Sequence, residues 1–344
     1  MIKIGYSIYT GLDDYPLEKN LEYLKLGKKY GVEFIFSSAH IQEANSAFDD
    51  LQQIVNEAAK LGMKLIIDVS KPMMDRFKMP ENLYSLRLDY GFTKEDIVEL
   101  SKTSKCKIEL NASTLSKETI DRLIEMGLNV QNVRTSFNFY PKLYTGHDIE
   151  FAKEKTDLFK SYGFTVLAFI PSHAGFRPPM YEGLPSVEAH RKMSTALAIE
   201  ELKSIGVDEI AFGDAYVSEE ELSILQKHQV EEIILPFTPA DNMPAEFMSH
   251  LDGVFGSRSD YNDLMLRCTS KRGKEEIQSF NTIERNVNDV TIDNSGFARY
   301  KGEINIITKP LEKDPRVNVI GKVELTEIIV KCIKRGHKFR FGIE

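Results

Sequence analysis

The segments KYGVEFIF (29–36), KLGMKLII (60–67), EMGLNVQNV (125–133), SYGFTVLAFI (161–170) and SIGVDEIAF (204–212) repeat one junction: a helix end, a glycine, then a strand. Glycine just past the last helical turn supplies the left-handed conformation on which many helices end. The apolar, β-branched run after it reads as a buried strand. Working outward, strands over Ile2–Tyr9, Val32–Phe36, Met63–Val69, Leu83–Asp89, Lys107–Leu110, Val130–Thr135, Phe164–Ile170 and Asp208–Phe212 alternate with amphipathic segments. Those segments cover Leu17–Tyr30, Ala47–Leu61, Lys94–Lys102, Lys117–Met126, Ile149–Tyr162, Glu188–Ile205 and Glu219–Gln226. This alternation predicts a (β/α)8 TIM barrel. A doubly wound sheet would carry a glycine-rich phosphate turn after its first strand, and GYSIYTG (5–11) is not GxGxxG.

The rhythm breaks near Pro236. PFTPADNMPAEF (236–247) reads as a proline-bearing junction, and strands over Thr282–Ile292, Phe297–Ile307, Arg316–Val323 and Lys338–Ile343 follow, with one helix over Leu325–Lys334. The expected division is a catalytic barrel over 1–236 and a small β-barrel domain over 237–344. A length of 344 residues agrees with two domains. The net charge of −8 argues against a nucleic-acid partner. No apolar run approaches the ~18 residues of a membrane span, and MIKIGYSIYTGLDD turns acidic before a secretory core could form. Three separated cysteines (Cys106, Cys268, Cys332) suggest thiols in a reducing cytoplasm. The absence of Trp beside 20 Phe and 14 Tyr disfavours a long polysaccharide groove.

Active sites of TIM barrels lie at the C-terminal strand ends, which converts the strand reading into candidates. They are Tyr9 and Ser7, then Ser37, Ser38 and His40, then Asp68, Arg87 with Asp89, and Glu109 with Asn111. Arg134 and Asn138 follow, then His173 and Asp214. Arg87 and Asp89 are two apart on a strand and share a face; the guanidinium favours an ionised Asp89, a nucleophile, base or electrostatic stabiliser. Asp68 and Asp214 have little cationic company in sequence, so desolvation could make either a general acid. Paired carboxylates of differing environment fit glycoside hydrolysis. A metal-dependent isomerase or epimerase using Asp68, Glu109, His173 and Asp214 stays open, although no HxH, HxxE or DxD pair occurs at ligand spacing. So does a non-enzymatic sugar-phosphate-binding protein.

Two long segments, FNFYPKLYTGHD (137–148) and PSHAGFRPPMYEGLPSVEAH (171–190), read as functional loops. They offer Arg177, His173, Lys142 and His147 to an anion, Tyr140, Tyr144 and Tyr181 as stacking faces, and Glu182 as a further carboxyl.

SIYTGLDD (7–14), FIFSSAHI (34–41), LRLDYGF (86–92), ELNASTL (109–115), the two loops and FGDAYVSEEEL (212–222) together resemble the MupG-type family. SRSDYNDLMLR (257–267), NTIERNVNDVTIDNSGFARYKGEINI (281–306) and DPRVNVIGKV (314–323) extend the resemblance through the second domain. It implies a TIM barrel followed by a cyclophilin-like β domain. It also implies a cytoplasmic 6-phospho-N-acetylmuramidase that cleaves 6-phospho-N-acetylmuramic acid from N-acetylglucosamine during cell-wall recycling. No cofactor and no resident metal are expected. A phosphorylated disaccharide is then the partner, and the strand-end reading makes Asp68, Asp89 and Asp214 the carboxylates expected to carry the chemistry. Tyr9, Arg87, Glu109, Asn111, Arg134, Asn138, Tyr140, His173, Arg177 and Glu182 would surround the sugar.

Overall fold

A computed structural model of the chain describes residues 1–38, 47–74, 80, 83–269 and 275–343. Two compact units emerge, Met1–Gln229 and Val230–Glu344. In the first, strands β1 (Lys3–Ser7), β2 (Phe34–Ser38), β3 (Lys64–Val69), β4 (Leu83–Leu88), β5 (Lys107–Asn111), β6 (Val133–Ser136), β7 (Val166–Ile170) and β8 (Glu209–Phe212) pair in sequence order. All pairs are parallel, and β8 returns to β1 to close a TIM barrel.

Helices α1 (Leu17–Lys29), α2 (Ala47–Lys60), α3 (Lys71–Met74), α4 (Lys94–Thr103), α5 (Lys117–Glu125), α6 (Ile149–Ser161), α7 (Thr195–Ser204) and α8 (Glu219–Lys227) intervene. The repeated glycine works as its position requires. Gly62 (φ +68°) and Gly163 (φ +78°) end α2 and α6 in the left-handed region, where a Cβ would meet no other atom within 4 Å. Backbone conformation, not crowding, demands glycine there. The following N–H then reaches back into the helix, Met63 to Ala58 O at 2.9 Å and Phe164 to Phe159 O at 3.0 Å, and aims the chain into the next strand. The segment expected as one helix over Glu188–Ile205 is two: a 3-10 turn at Glu188–Lys192, then α7, restarted by Ser194, whose hydroxyl accepts the Leu197 N–H at 3.4 Å.

Charged side chains thread the barrel interior. Arg87 on β4 bonds Asp68 on β3 at 2.7 Å. Arg134 on β6 lies 2.6 Å from Glu109 on β5 and 2.5 Å from Glu209 on β8. Lys3 on β1 completes the series, 3.4 Å from Glu209. Strand register places Asp68, Arg87, Glu109 and Arg134 side by side in turn. Signs alternate along this chain, so each buried charge has opposite neighbours, the condition under which burial of ions is tolerable. Burial alone would lower the Arg134 pKa; Glu109 and then Glu209 outweigh it and hold the guanidinium charged. The Arg134–Glu109 contact is close but not aligned as a hydrogen bond, so attraction of charge is its content.

The second unit is a β domain. Its sheet runs in the order β10 (Met265–Arg267), β12 (Ile304–Ile307), β11 (Asp289–Asp293), β13 (Val317–Val323), β9 (Ile233–Pro239) and β14 (Phe339–Ile343). Only β9 and β14 pair in parallel. The outer strands β10 and β14 do not pair with each other among the described residues, leaving a half-barrel. Helix α9 (Glu327–Lys334) carries buried Ile328, Ile329, Cys332 and Ile333.

The segment read as a junction at Pro236 is strand β9, so the units divide ahead of that proline. Proline lacks only the donor: the Pro236 carbonyl still accepts the Glu324 N–H at 2.9 Å. Two expected strands are shorter than their sequence pattern. Thr282–Ile292 becomes a strand only at Asp289. Phe297–Ile307 begins at Ile304, because the Asn294 side chain accepts the Gly296 N–H at 3.0 Å and starts a 3-10 turn over Ser295–Tyr300. Among the described residues no helix is long and apolar enough to cross a membrane.

Replacing Arg134 by Met strands Glu109 and Glu209 without their shared cation. The variant is expected to lose about 3–5 kcal/mol of stability, read as a lowered midpoint in thermal unfolding followed by circular dichroism; an unchanged midpoint contradicts the charge chain's role.

Candidate active site

Arg87 is the hub at the C-terminal mouth of the barrel. It is 5% exposed, so its donors must be met by neighbours. Nη1 bonds Asp68 Oδ1 at 2.7 Å, Nη2 bonds Asn138 Oδ1 at 2.5 Å, and Nε bonds Ser136 Oγ at 2.9 Å. Asp89 Oδ1 lies 3.9 Å from the same Nη1. Burial would lower the Arg87 pKa, yet it is raised because Asp68 and, less strongly, Glu109 and Asp89 stabilise the cation. Ser38 donates to the other Asp68 oxygen at 3.5 Å. The Asp89 side chain is 37% exposed against 13% for Asp68, so it is the more accessible carboxylate.

Arg177 supplies a second cation. Its guanidinium lies 4.8 Å from the centre of the Tyr9 ring and 5.4 Å from that of Phe139, positions that favour a cation over an aromatic face. Phe139 in turn packs edge-on against Phe36 and Phe169. The Tyr9 hydroxyl donates to the Gly213 carbonyl at 2.7 Å. Among the described residues no carboxylate lies within ion-pair distance of the Arg177 guanidinium, which leaves it open to an anion.

Asp214 follows β8 and is fully buried. One oxygen accepts the N–H groups of Ser172 and Leu184, each at 3.0 Å, and the other accepts that of Arg177 at 3.2 Å. The carboxyl therefore gathers the loop after β7 from three points. The neighbouring Gly213 permits this approach: a Cβ there would stand 2.3 Å from the Leu184 carbonyl oxygen. Glu221 on α8 secures the loop's start, accepting the Ser172 hydroxyl at 2.9 Å and the His173 N–H at 2.7 Å.

Two residues outside the sequence-derived set tie the loops together. Arg191 bonds both oxygens of Glu188 at 2.7 Å. It also donates to the carbonyls of Glu182 (3.0 Å) and Gly183 (2.8 Å) on one loop and of Tyr140 (3.1 Å) and Lys142 (3.3 Å) on the other. Glu188 accepts the N–H groups of Tyr144 and Gly146. Hydrogen bonds from Arg191, first among several causes, hold the Glu188 carboxyl down at about 2. The sequence signal was a helical pattern over Glu188–Ile205, which hid a 3-10 turn and with it the clamp.

The sequence-derived residues thus separate. Asp68, Arg87, Asp89 and Asn138 converge; Tyr9 and Arg177 face each other; Asp214 lies beneath the loop. Glu109 and Arg134 belong to the interior charge chain, fully buried or nearly so. Asn111 closes a turn, its side chain accepting the Ser113 N–H at 3.0 Å. The Tyr140 hydroxyl meets His147 Nε2 at 3.0 Å, and burial, foremost, lowers the His147 pKa. His173 is exposed and donates from Nε2 to the Met193 carbonyl; Glu182 is also exposed. Tyr144 and Tyr181 stand exposed at the loop tips. The set weighed as metal ligands (Asp68, Glu109, His173, Asp214) is dispersed, and no group of three such side chains among the described residues could hold a metal. His40 lies outside the described residues.

Comparison with known proteins places two matches end to end: residues 4–227 match 6-phospho-N-acetylmuramidase, N-terminal, and residues 233–342 match 6-phospho-N-acetylmuramidase, C-terminal. An uncharacterised Bacillus cereus protein of known crystal structure is similar over 99% of both chains, with 25% identity and a TM-score of 0.89. A conserved Enterococcus faecalis protein of unknown function is similar over 99% of this chain and 96% of its own, with 29% identity and a TM-score of 0.74. No functionally curated protein matches.

Burial pushes the Asp214 carboxyl up to about 6, against the opposing pull of three N–H donors and Arg177. The folded chain then holds this proton more tightly than the unfolded chain, whose value is 3.8. Stability contributed by Asp214 is full below about pH 4, falls as pH climbs to about 6, and is level above that. Melting temperatures of wild type and Asp214→Asn across pH 4–7 check this: the gap between them should change over that window and nowhere above it.

Proposed function

The chain belongs to the 6-phospho-N-acetylmuramidase family, a family of glycosidases, and from that premise we propose that the barrel mouth hydrolyses the bond between 6-phospho-N-acetylmuramic acid and N-acetylglucosamine in the cytoplasm, as a step of cell-wall recycling. The observation that carries the reading is one guanidinium, Arg87, holding two carboxylates at the mouth. Its Nη1 lies 2.7 Å from Asp68 Oδ1 and 3.9 Å from Asp89 Oδ1, so those oxygens are at most 6.6 Å apart, the sum of the two distances. Retaining glycosidases space their carboxyls at about 5–5.5 Å and inverting ones at about 6.5–9.5 Å. The bound favours retention, and attack by the substrate's own acetamido oxygen would retain configuration as well.

The guanidinium expected to keep Asp89 ionised pairs instead with Asp68, at 2.7 Å against 3.9 Å. In this reading Asp89, the more accessible carboxylate, is therefore the one that carries a proton, gives it to the leaving glycosidic oxygen and recovers one from the attacking water. Asp68, fixed and ion-paired, stabilises the positive charge at the anomeric carbon while the glycosidic bond breaks and the substrate's acetamido oxygen closes onto that carbon; water then displaces that oxygen, so the configuration is retained. Asp214 acts through the loop it gathers and is a positioning residue. Arg177 takes an anionic group of the substrate, phosphate or lactyl carboxylate, as a guanidinium is shaped to do. Asn138, held by Arg87, presents its amide toward sugar hydroxyls.

Asp89→Asn should lower turnover of the phosphorylated disaccharide by on the order of 100-fold or more, measured as released N-acetylglucosamine, with circular dichroism unchanged; near-wild-type turnover sinks the assignment. Arg177→Ala should raise KM by about tenfold or more while kcat moves little. Equal KM values for the variant and the wild type would remove Arg177 from substrate binding.

A further inference from the structure

The half-barrel holds a polar constellation that the barrel chemistry does not use. Alternate residues of β11 and β12 face opposite sides of the sheet. One side carries Val290, Ile292, Ile304, Ile306 and, from β10, Leu266, all buried and apolar. The other carries Thr291 and Asp293 from β11, Glu303 and Asn305 from β12 and its approach, and Arg267 from β10, with Ile307 and Met265 at its far end. Register sets Thr291 beside Asn305 and Asn305 beside Arg267, while the Asp293 N–H donates to the Glu303 carbonyl at 3.0 Å. Thr291, Glu303 and Asn305 are each under 9% exposed. A buried sheet face is ordinarily apolar, so this one calls for a reason.

Arg267 is satisfied: Nε and Nη2 bond Glu303 Oε1 at 3.1 and 3.0 Å, and Nη1 reaches Asp260 at 3.4 Å. Two acceptors are not. Asn305 Oδ1 is buried without a partner. The Asp293 carboxyl makes no hydrogen bond or ion pair among the described residues, although burial, reinforced by Glu303 and Asp314, pushes it up to about 7. A buried, unmet amide oxygen beside a half-buried carboxyl is a place that a hydrogen-bond donor fits.

We propose that this face binds a neutral polyhydroxylated ligand, a sugar, whose hydroxyls meet Asn305 Oδ1 and the Asp293 carboxyl. An anion would find the Arg267 donors taken and carboxylates around it. A cation would sit beside the guanidinium groups of Arg267 and Arg285. Hydroxyls both donate and accept, which suits an amide oxygen next to a carboxyl that exchanges its proton near neutrality. The proposal is independent of the barrel reading.

The test titrates the full-length protein with N-acetylglucosamine and, in separate arms, with methylammonium and inorganic phosphate, by calorimetry. Saturable sugar binding is expected, weakened about tenfold by Asn305→Leu and by Asp293→Ala and retained by Asp293→Asn, while turnover of the phosphorylated disaccharide is unchanged in all three. Should Asn305→Leu fail to fold, the Asp293 pair decides. No saturable sugar binding, tighter binding of either ion, or equal sugar affinity in wild type and Asp293→Ala overturns the proposal.

Discussion

The alternation of charge inside the barrel is the constraint on which the mouth depends. Asp68, Arg87, Glu109, Arg134, Glu209 and Lys3 descend from the C-terminal strand ends to the floor, each beside one of opposite sign. A charge in a medium of low polarity is costly unless paired, so no member can be exchanged without disturbing the next. Arg87 can present two carboxylates to the mouth because Glu109, beside it in register, helps to hold it charged from below.

Local chemistry explains why the barrel was legible in the sequence. A helix that ends on Gly62 or Gly163 needs only the few residues around it, and those residues stand together in the chain. Arg87 and Asp89 could likewise be joined in advance, because strand geometry alone puts them on one face. The half-barrel was less legible for the same reason inverted. Pro236 and Pro239 suggested a junction, whereas β9 lies between β13 and β14, whose residues come some eighty to a hundred positions later in the chain.

The candidate site divides along the same line. Strand-end residues were foreseeable one by one, yet their division of labour was not. Asp214 and Asp68 look alike in sequence. One is surrounded by three backbone N–H groups of a distant loop and the other by a guanidinium on the adjacent strand. Arg134 resembled a ligand-binding cation until its two glutamates, on β5 and β8, were seen to enclose it. The Arg191–Glu188 clamp was invisible because its acceptors are main-chain carbonyls, which carry no signature in the side-chain alphabet.

That clamp separates what the loops must conserve from what they are free to vary. Arg191 fixes the backbone at Tyr140, Lys142, Glu182 and Gly183 through carbonyl oxygens, which any side chain would leave in place. Glu188 adds the Tyr144 N–H to those fixed points, yet the side chains at the tips, with Tyr144 84% exposed and Tyr181 51% exposed, project into solvent. Side chains at the tips can therefore change while the backbone beneath them keeps its anchors, so variation there does not require the scaffold to be rebuilt each time.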